Sequence, residues 1–144
     1  MQELKPGKDY IGTSVFCLVS DEHNRILLGL NKKSEKKGKD YENVWSMPGG
    51  TIEFGETAVR ALKREIKEET NLDIHDVVFV NYNDYIKKDE QKHWLALNFT
   101  AKASSLDLAN LEEDKFERLE FFDRDQIPDN ISKFAREFIK RSII

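Results

Sequence analysis

Cysteine is nearly missing from this sequence: Cys17 is the only one among 144 residues, so no internal disulfide can form. It lies in the apolar run Val15-Phe16-Cys17-Leu18-Val19, where a small buried hydrophobe is expected rather than a nucleophile. Positive charge is short as well. Lys and Arg number 23 against 27 Asp and Glu, a net charge of −4, which argues against a general binder of nucleic-acid polymers. A local basic loop can still meet an anion. No apolar run approaches the ~18 residues of a membrane span. The first ten residues, MQELKPGKDY, lack the basic-then-apolar order of a signal peptide. A cytoplasmic protein without a membrane partner is expected. What is present, 39% apolar and 35% charged residues, fits one globular domain over 1–144. A chain of this length buries roughly two-thirds of its unfolded surface.

Taken in order, Thr13 to Ser20 is almost continuously apolar and predicts a central strand buried on both faces. The polar turn Asp21-Glu22-His23-Asn24 and the apolar run Arg25 to Leu30 complete a hairpin. Asn31 to Asn43 holds Lys32, Lys33, Lys36, Lys37 and Lys39 and reads as a solvated loop in preference to a phosphate-steering one, with Tyr41 its one residue that looks buried. Val44, Trp45 and Met47 predict a short strand ending at Pro48-Gly49-Gly50, read as a tight turn, and Thr51 to Phe54 a further short strand. Thr57 is placed to cap a helix to about Thr70, and Asn71 to end it in a left-handed conformation.

Asp76 to Tyr85 and His93 to Ala103 predict two strands around a charged hairpin loop, and Leu119 to Phe122 a last strand. Ser104 to Arg118 is polar and acidic, a loop over one end of the sheet. After Pro128, Asp129 or Asn130 caps a final helix in which Ile131, Phe134, Ala135, Phe138 and Ile139 recur at helical spacing. His23, His75 and His93 fall in a turn and at strand ends, as solvated residues rather than ligands.

The informative stretch is Gly50 to Leu72, GTIEFGETAVRALKREIKEETNL. At about 100° per residue, Glu65, Glu68 and Glu69 fall within one arc of the helix. Followed backwards, that face holds Ala58, Ala61 and Leu62, while Arg60, Lys63 and Lys67 point the other way. An ordinary solvated helix would mix its glutamates with lysines on the outer side. Here the carboxylates continue the inward stripe, where their mutual repulsion is costly and a divalent cation would reverse it. Hard oxygen ligands in this number suit Mg²⁺, with Mn²⁺ the alternative, and Mg²⁺ commonly binds through carboxylates together with substrate phosphates. A phosphorylated substrate follows, with the metal neutralising phosphoryl charge and one glutamate available as base.

The same residues resemble a known pattern. Gly50, five residues, Glu56, seven residues, Arg64-Glu65-Ile66, one residue, Glu68-Glu69, one residue, position 71 and Leu72 are similar to the Nudix box, with Asn71 in place of its glycine. Asn tolerates the left-handed backbone expected there. Pro48-Gly49-Gly50 before the box, and Phe121-Phe122 followed by Ile127-Pro128, extend the resemblance over nearly the whole chain. It implies an α/β/α sandwich with a mixed β-sheet. It further implies that Glu65, Glu68 and Glu69 ligate the metal with the Gly50 carbonyl. Glu56 and Arg64 would form an ion pair bracing loop against helix, either purely structural or with a direct chemical part. A further glutamate from a distant loop, Glu117, Glu113 or Glu112, is implied to join the site, against a plain reading as solvated loop charges.

Family members hydrolyse nucleoside diphosphates linked to another group. The prolines are Pro6, Pro48 and Pro128 alone, so the downstream proline associated with ADP-ribose hydrolases is missing. PGGTIEFGET and the aromatic strand after the hairpin resemble the MutT-like members that cleave nucleoside triphosphates to the monophosphate and pyrophosphate. Ser46 is expected to face the base. Tyr82, Tyr85, Trp94 and Phe121 are candidates to stack on it, although core packing suits each of them better. Rival readings are a hydrolase of ADP-ribose, a nucleotide sugar or a dinucleoside polyphosphate, and a Nudix-fold module that senses a nucleotide without cutting it. The expected partners are a small nucleotide and, in a homodimer, a second copy of the chain.

Overall fold

A computed structural model describes residues 2–33 and 42–142. Lys36, Lys37, Lys39 and Tyr41 lie outside the described residues. The apolar run at the start becomes β1 (Gly12–Ser20), and every later element is placed relative to it. β1 pairs in parallel with β6 (Lys92–Ala103) along its whole length, from Gly12↔Trp94 to Ser20↔Lys102. Its other side is shared, with β4 (Gly49–Thr51) antiparallel at Ser14 to Phe16 and β2 (Ile26–Asn31) antiparallel at Ser20↔Ile26. β2 carries β3 (Trp45–Ser46) and β7 (Phe116–Phe122), and β6 carries β5 (Ile74–Lys87), which forms an edge. The sheet is therefore mixed. A parallel pair needs a long crossover, and the chain between β1 and β6 contains the helix α1 (Ala58–Thr70).

Alternation along the strands divides the apolar side chains between two faces. Val15, Cys17, Val19, Leu27 and Phe99 pack against Ala61, Leu62 and Ile66 of α1. Leu18, Ile26, Leu28 and Trp45 pack on the opposite face against Ala135, Phe138 and Ile139 of α2 (Lys133–Ser142). The result is the expected α/β/α sandwich. Cys17 is completely buried, and burial pushes its thiol far above the usual range, which fits the inert reading. No described helix is long and apolar enough to cross a membrane.

Several expected boundaries shift for physical reasons. Gly49 and Gly50 are not a turn but part of β4. A Cβ on Gly49 would collide with the Val15 carbonyl oxygen, so glycine is there for close strand approach, and the left-handed glycine of this stretch is Gly55 at φ +91°. β7 begins at Phe116 rather than Leu119, because Phe116 is fully buried over Gly29 and pairs with Asn31 across a register shift. Asn31 itself is buried, not part of a solvated loop. Ser132 caps α2 in place of Asp129 or Asn130: its Oγ accepts the Ala135 N–H at 3.2 Å. The preceding residues are held extended along β3, Trp45 N–H donating to Asn130 O and Ser132 N–H to Trp45 O, both at 2.8 Å. Tyr82 stands exposed on edge strand β5, so it has no core role.

Candidate active site

The site is built on α1 and the strand it faces. Thr57 Oγ1 accepts the Arg60 N–H at 3.2 Å at the helix start. At the other end Asn71 adopts φ 65°, its N–H donating to Lys67 O at 3.0 Å, and its Nδ2 donates to Asp107 O at 3.0 Å. Ala61, Leu62 and Ile66 have no exposed surface, which fixes the rotation of the helix. That rotation turns the glutamates by degrees from core to rim. Glu69 is wholly buried, the Glu65 side chain is 14% exposed, and that of Glu68 is 48% exposed.

Arg64 ties the outer carboxylates together. Its Nε donates to Glu56 Oε2 at 2.7 Å and Nη2 to Glu56 Oε1 at 2.8 Å, a bidentate pair across the loop. Nη2 also donates to Thr51 O at 3.0 Å, while Nη1 reaches Glu65 Oε1 at 3.0 Å and Glu68 Oε2 at 3.2 Å. The expected brace of loop against helix is therefore present, with β4 included. The Arg64 hydrogen bonds hold Glu56 down at about 2, and Glu56 in turn raises the guanidinium. Burial pushes Glu65 above the usual carboxylate range, with Arg64 opposing it. Glu65 rests directly on Gly50: a Cβ there would overlap the Glu65 carboxylate.

Glu69 has different partners. Lys115 Nζ lies 2.6 Å from its Oε1 and 3.1 Å from its Oε2, and the Gly49 N–H donates to Oε1 at 3.2 Å. The same ammonium donates to the Gly49 carbonyl at 2.7 Å. Burial raises Glu69 to about 7, and Lys115 and the Gly49 N–H pull it the other way. The carboxylates thus share one side of α1 but divide between two cations, Glu65 and Glu68 on Arg64 and Glu69 on Lys115. Among the described residues they do not close as a three-acid cluster around a single point.

The distant loop reaches the site through Lys115. Glu113 and Glu117 line a cleft of about 430 Å³ with Lys32 and Arg118, next to one of about 800 Å³ that reaches Lys115. Volumes of this order accommodate a nucleotide. Ser46 Oγ donates to Asn31 Oδ1 at 3.0 Å. Gly49 and Lys115 are the site residues that sequence reasoning missed. The available signal was a lone lysine inside the acidic run Glu112-Glu113-Asp114-Lys115.

The donors present, buried and rim carboxylates beside strand carbonyls, are hard oxygens and fit a divalent cation of the Mg²⁺ type. Residues 11–142 match the NUDIX domain family. The chain belongs to the Nudix hydrolase family. Among solved structures, the MutT Nudix hydrolase of Burkholderia pseudomallei superposes with a TM-score of 0.79 at 25% identity, over 91% of this chain and 97% of that one. An 8-oxo-dGTP diphosphatase of Buchnera aphidicola is 35% identical over 65 residues, 45% of this chain and 52% of that protein. An RNA pyrophosphohydrolase of Erythrobacter litoralis is 28% identical over 118 residues, 70% of this chain and 71% of its own length. The Nudix chain thus spans about half of one of these relatives and about seven-tenths of the other.

Proposed function

We propose that this Nudix hydrolase acts as a single domain that cleaves a nucleoside triphosphate to the monophosphate and pyrophosphate, with Mg²⁺ or Mn²⁺ held at Glu65 and Glu68 and at the inner Glu69. The carrying observation is the placement of Glu65, packed against Gly50 of β4 and shared with Glu68 through Arg64 Nη1. That contact sets the Glu65 carboxylate against β4, with Glu68 joined to it through Arg64. When bound, the metal supplies charge neutralisation on the phosphoryl oxygens and activation of water. The remaining work belongs to the chain. Arg64 orients Glu65 and Glu68, Glu56 fixes Arg64, and β4 closes one side of the site. Glu68, the most exposed of the three, is the carboxylate best placed to exchange a proton with solvent.

A small nucleotide suits the clefts beside Lys32, Lys115 and Arg118, and the net charge of −4 disfavours a long polyanion. The lone buried thiol of Cys17 supports a reducing, cytoplasmic setting. The exposed Val78, Val80 and Ile86 on edge strand β5 support a homodimer through that edge. Sedimentation of a Val80→Lys, Ile86→Lys variant should then give a monomer, and an unchanged dimer would remove β5 from the interface.

The function is tested by a Mg²⁺-dependent panel of NTPs, dNTPs, ADP-ribose, nucleotide sugars, dinucleoside polyphosphates and 5′-triphosphorylated RNA, with products identified. Hydrolysis confined to ADP-ribose or RNA would overturn the substrate class. Binding without hydrolysis of any of them would favour the sensing module.

A further inference from the structure

Three asparagines meet on the sheet face that α2 covers only in part. Asn98 of β6 is wholly buried, and its Nδ2 donates to Asn81 Oδ1 at 2.9 Å and to Asn83 Oδ1 at 3.0 Å, both on edge strand β5. Its neighbour Phe99 packs towards α1, so Asn98 points to the opposite face. There, among the described residues, α2 gathers apolar side chains of β1, β2, β3 and β7 and none of β5 or β6. Asn98 Oδ1 is buried without a hydrogen-bond partner. Turned over, the same amide would bury an NH2 group with both donors unmet instead of one oxygen, which fixes its orientation. Asn81 and Asn83 are half-buried, and with their oxygens turned in to Asn98 their NH2 groups turn away from it.

Strand register joins this cluster to the glutamate site. Asn83 pairs with Ala96, Ala96 with Ser14, and Ser14 with Thr51, whose carbonyl accepts from Arg64 Nη2 at 3.0 Å. That row crosses three strand spacings, about 14 Å. Its middle side chains, Ala96 and Ser14, are small and buried, while the rows on either side carry Phe16 and, beyond, Trp94 and Tyr85. The row is a trough between aromatic side chains with amide donors at one end, which suits a nucleobase. Among the described strands β4 pairs with β1 alone, so a ligand on this face reaches the glutamates around the other edge of β4. An NH2 donor pairs with the carbonyl oxygen that guanine, uracil or thymine presents, and meets another donor at the exocyclic amino group of adenine or cytosine. We propose that Asn81 and Asn83, positioned by Asn98, read the base of the substrate and select keto bases over amino bases. The proposal rests on the nucleotide reading given above, with the phosphates towards the glutamates and the cations Lys32 and Lys115. A plainly structural cluster would tie β5 to β6 equally well, but it would not discriminate between bases.

Binding and turnover test this separately. Calorimetric titration of the metal-free chain with GMP, UMP, AMP and CMP, up to the millimolar range, should show the keto pair bound about tenfold tighter than the amino pair. The same order should appear in kcat/KM for GTP, UTP, ATP and CTP with Mg²⁺. Asn83→Asp exchanges the outward donor for an acceptor and should abolish or reverse the preference. Asn98→Leu keeps the volume but releases both amides, and should bring the keto-to-amino ratio near one. If Asn98→Leu does not fold, Asn81→Asp and Asn83→Asp report the same ratio. Equal or reversed selection in wild type, or a folded Asn98→Leu that melts earlier yet keeps the wild-type ratio, overturns the role of the asparagines while triphosphate turnover stands. Absence of turnover with any of the four triphosphates overturns the proposed function instead, and the inference then survives only if GMP and UMP still bind more tightly than AMP and CMP.

Discussion

Arg64 is the residue on which the outer site depends, because its donors reach Glu56, Thr51, Glu65 and Glu68 at once. A lysine could not replace that fork, since an ammonium is a point charge without the bidentate geometry. The Glu56 carboxylate is held at about 2, below the ~4.3 of an unfolded glutamate. A depressed carboxylate stabilises the fold above its unfolded value, and that part is lost as pH falls through the folded value. Thermal melts between neutral pH and about 2 should therefore show a Tm loss in the acid limb that Glu56→Gln lacks. Parallel wild-type and variant curves would refute the assignment. The pairing of Glu56 with Arg64 was legible in the sequence, since eight positions apart they fit a known motif. The partner of Glu69 was not, because Lys115 lies 46 residues away and only the folded loop brings it in.

At the level of elements, α1 was readable almost to the residue. Its apolar period, the Thr57 cap and the Asn71 stop are local signals, and the helix runs between them. Leu62 anchors it without exposed surface, so Leu62→Ala should cost about 2–5 kcal/mol in chemical denaturation. Asn71 tests the cap separately. At φ 65° glycine is at ease and alanine is not, so Asn71→Ala should lose about 1 kcal/mol or more while Asn71→Gly stays near wild type. Equal losses for both would mean that the Asn71 side-chain bond to Asp107, and not the backbone, sets the stability. Gly49 and Gly50 show where local reading failed. Glycine signals a turn by default, but here it admits β1 on one side and the Glu65 carboxylate on the other, which only tertiary contact reveals.

For the molecule as a whole, the sandwich places α1 on one face of the sheet and α2 on the other, with β4 bringing backbone to the glutamates. Individual strands and helices were legible in their periods, while layers and fold class were implied by the resemblance of Gly50 to Leu72 to a known box. The parallel β1–β6 pair and the order of the strands were not, because pairing across more than seventy positions leaves no local trace. The cleft bordered by Lys32 and the loop from Asn110 to Lys115 likewise forms only at this scale. The central claim is that the α1 glutamates hold a metal that cuts a nucleotide anhydride. Its most direct measurement is Mg²⁺-dependent turnover of nucleoside triphosphates by wild type and Glu68→Gln. The account predicts monophosphate and pyrophosphate from wild type and a loss of about 100-fold or more in kcat for the variant. Full activity in Glu68→Gln, or turnover that does not depend on the metal, would contradict it.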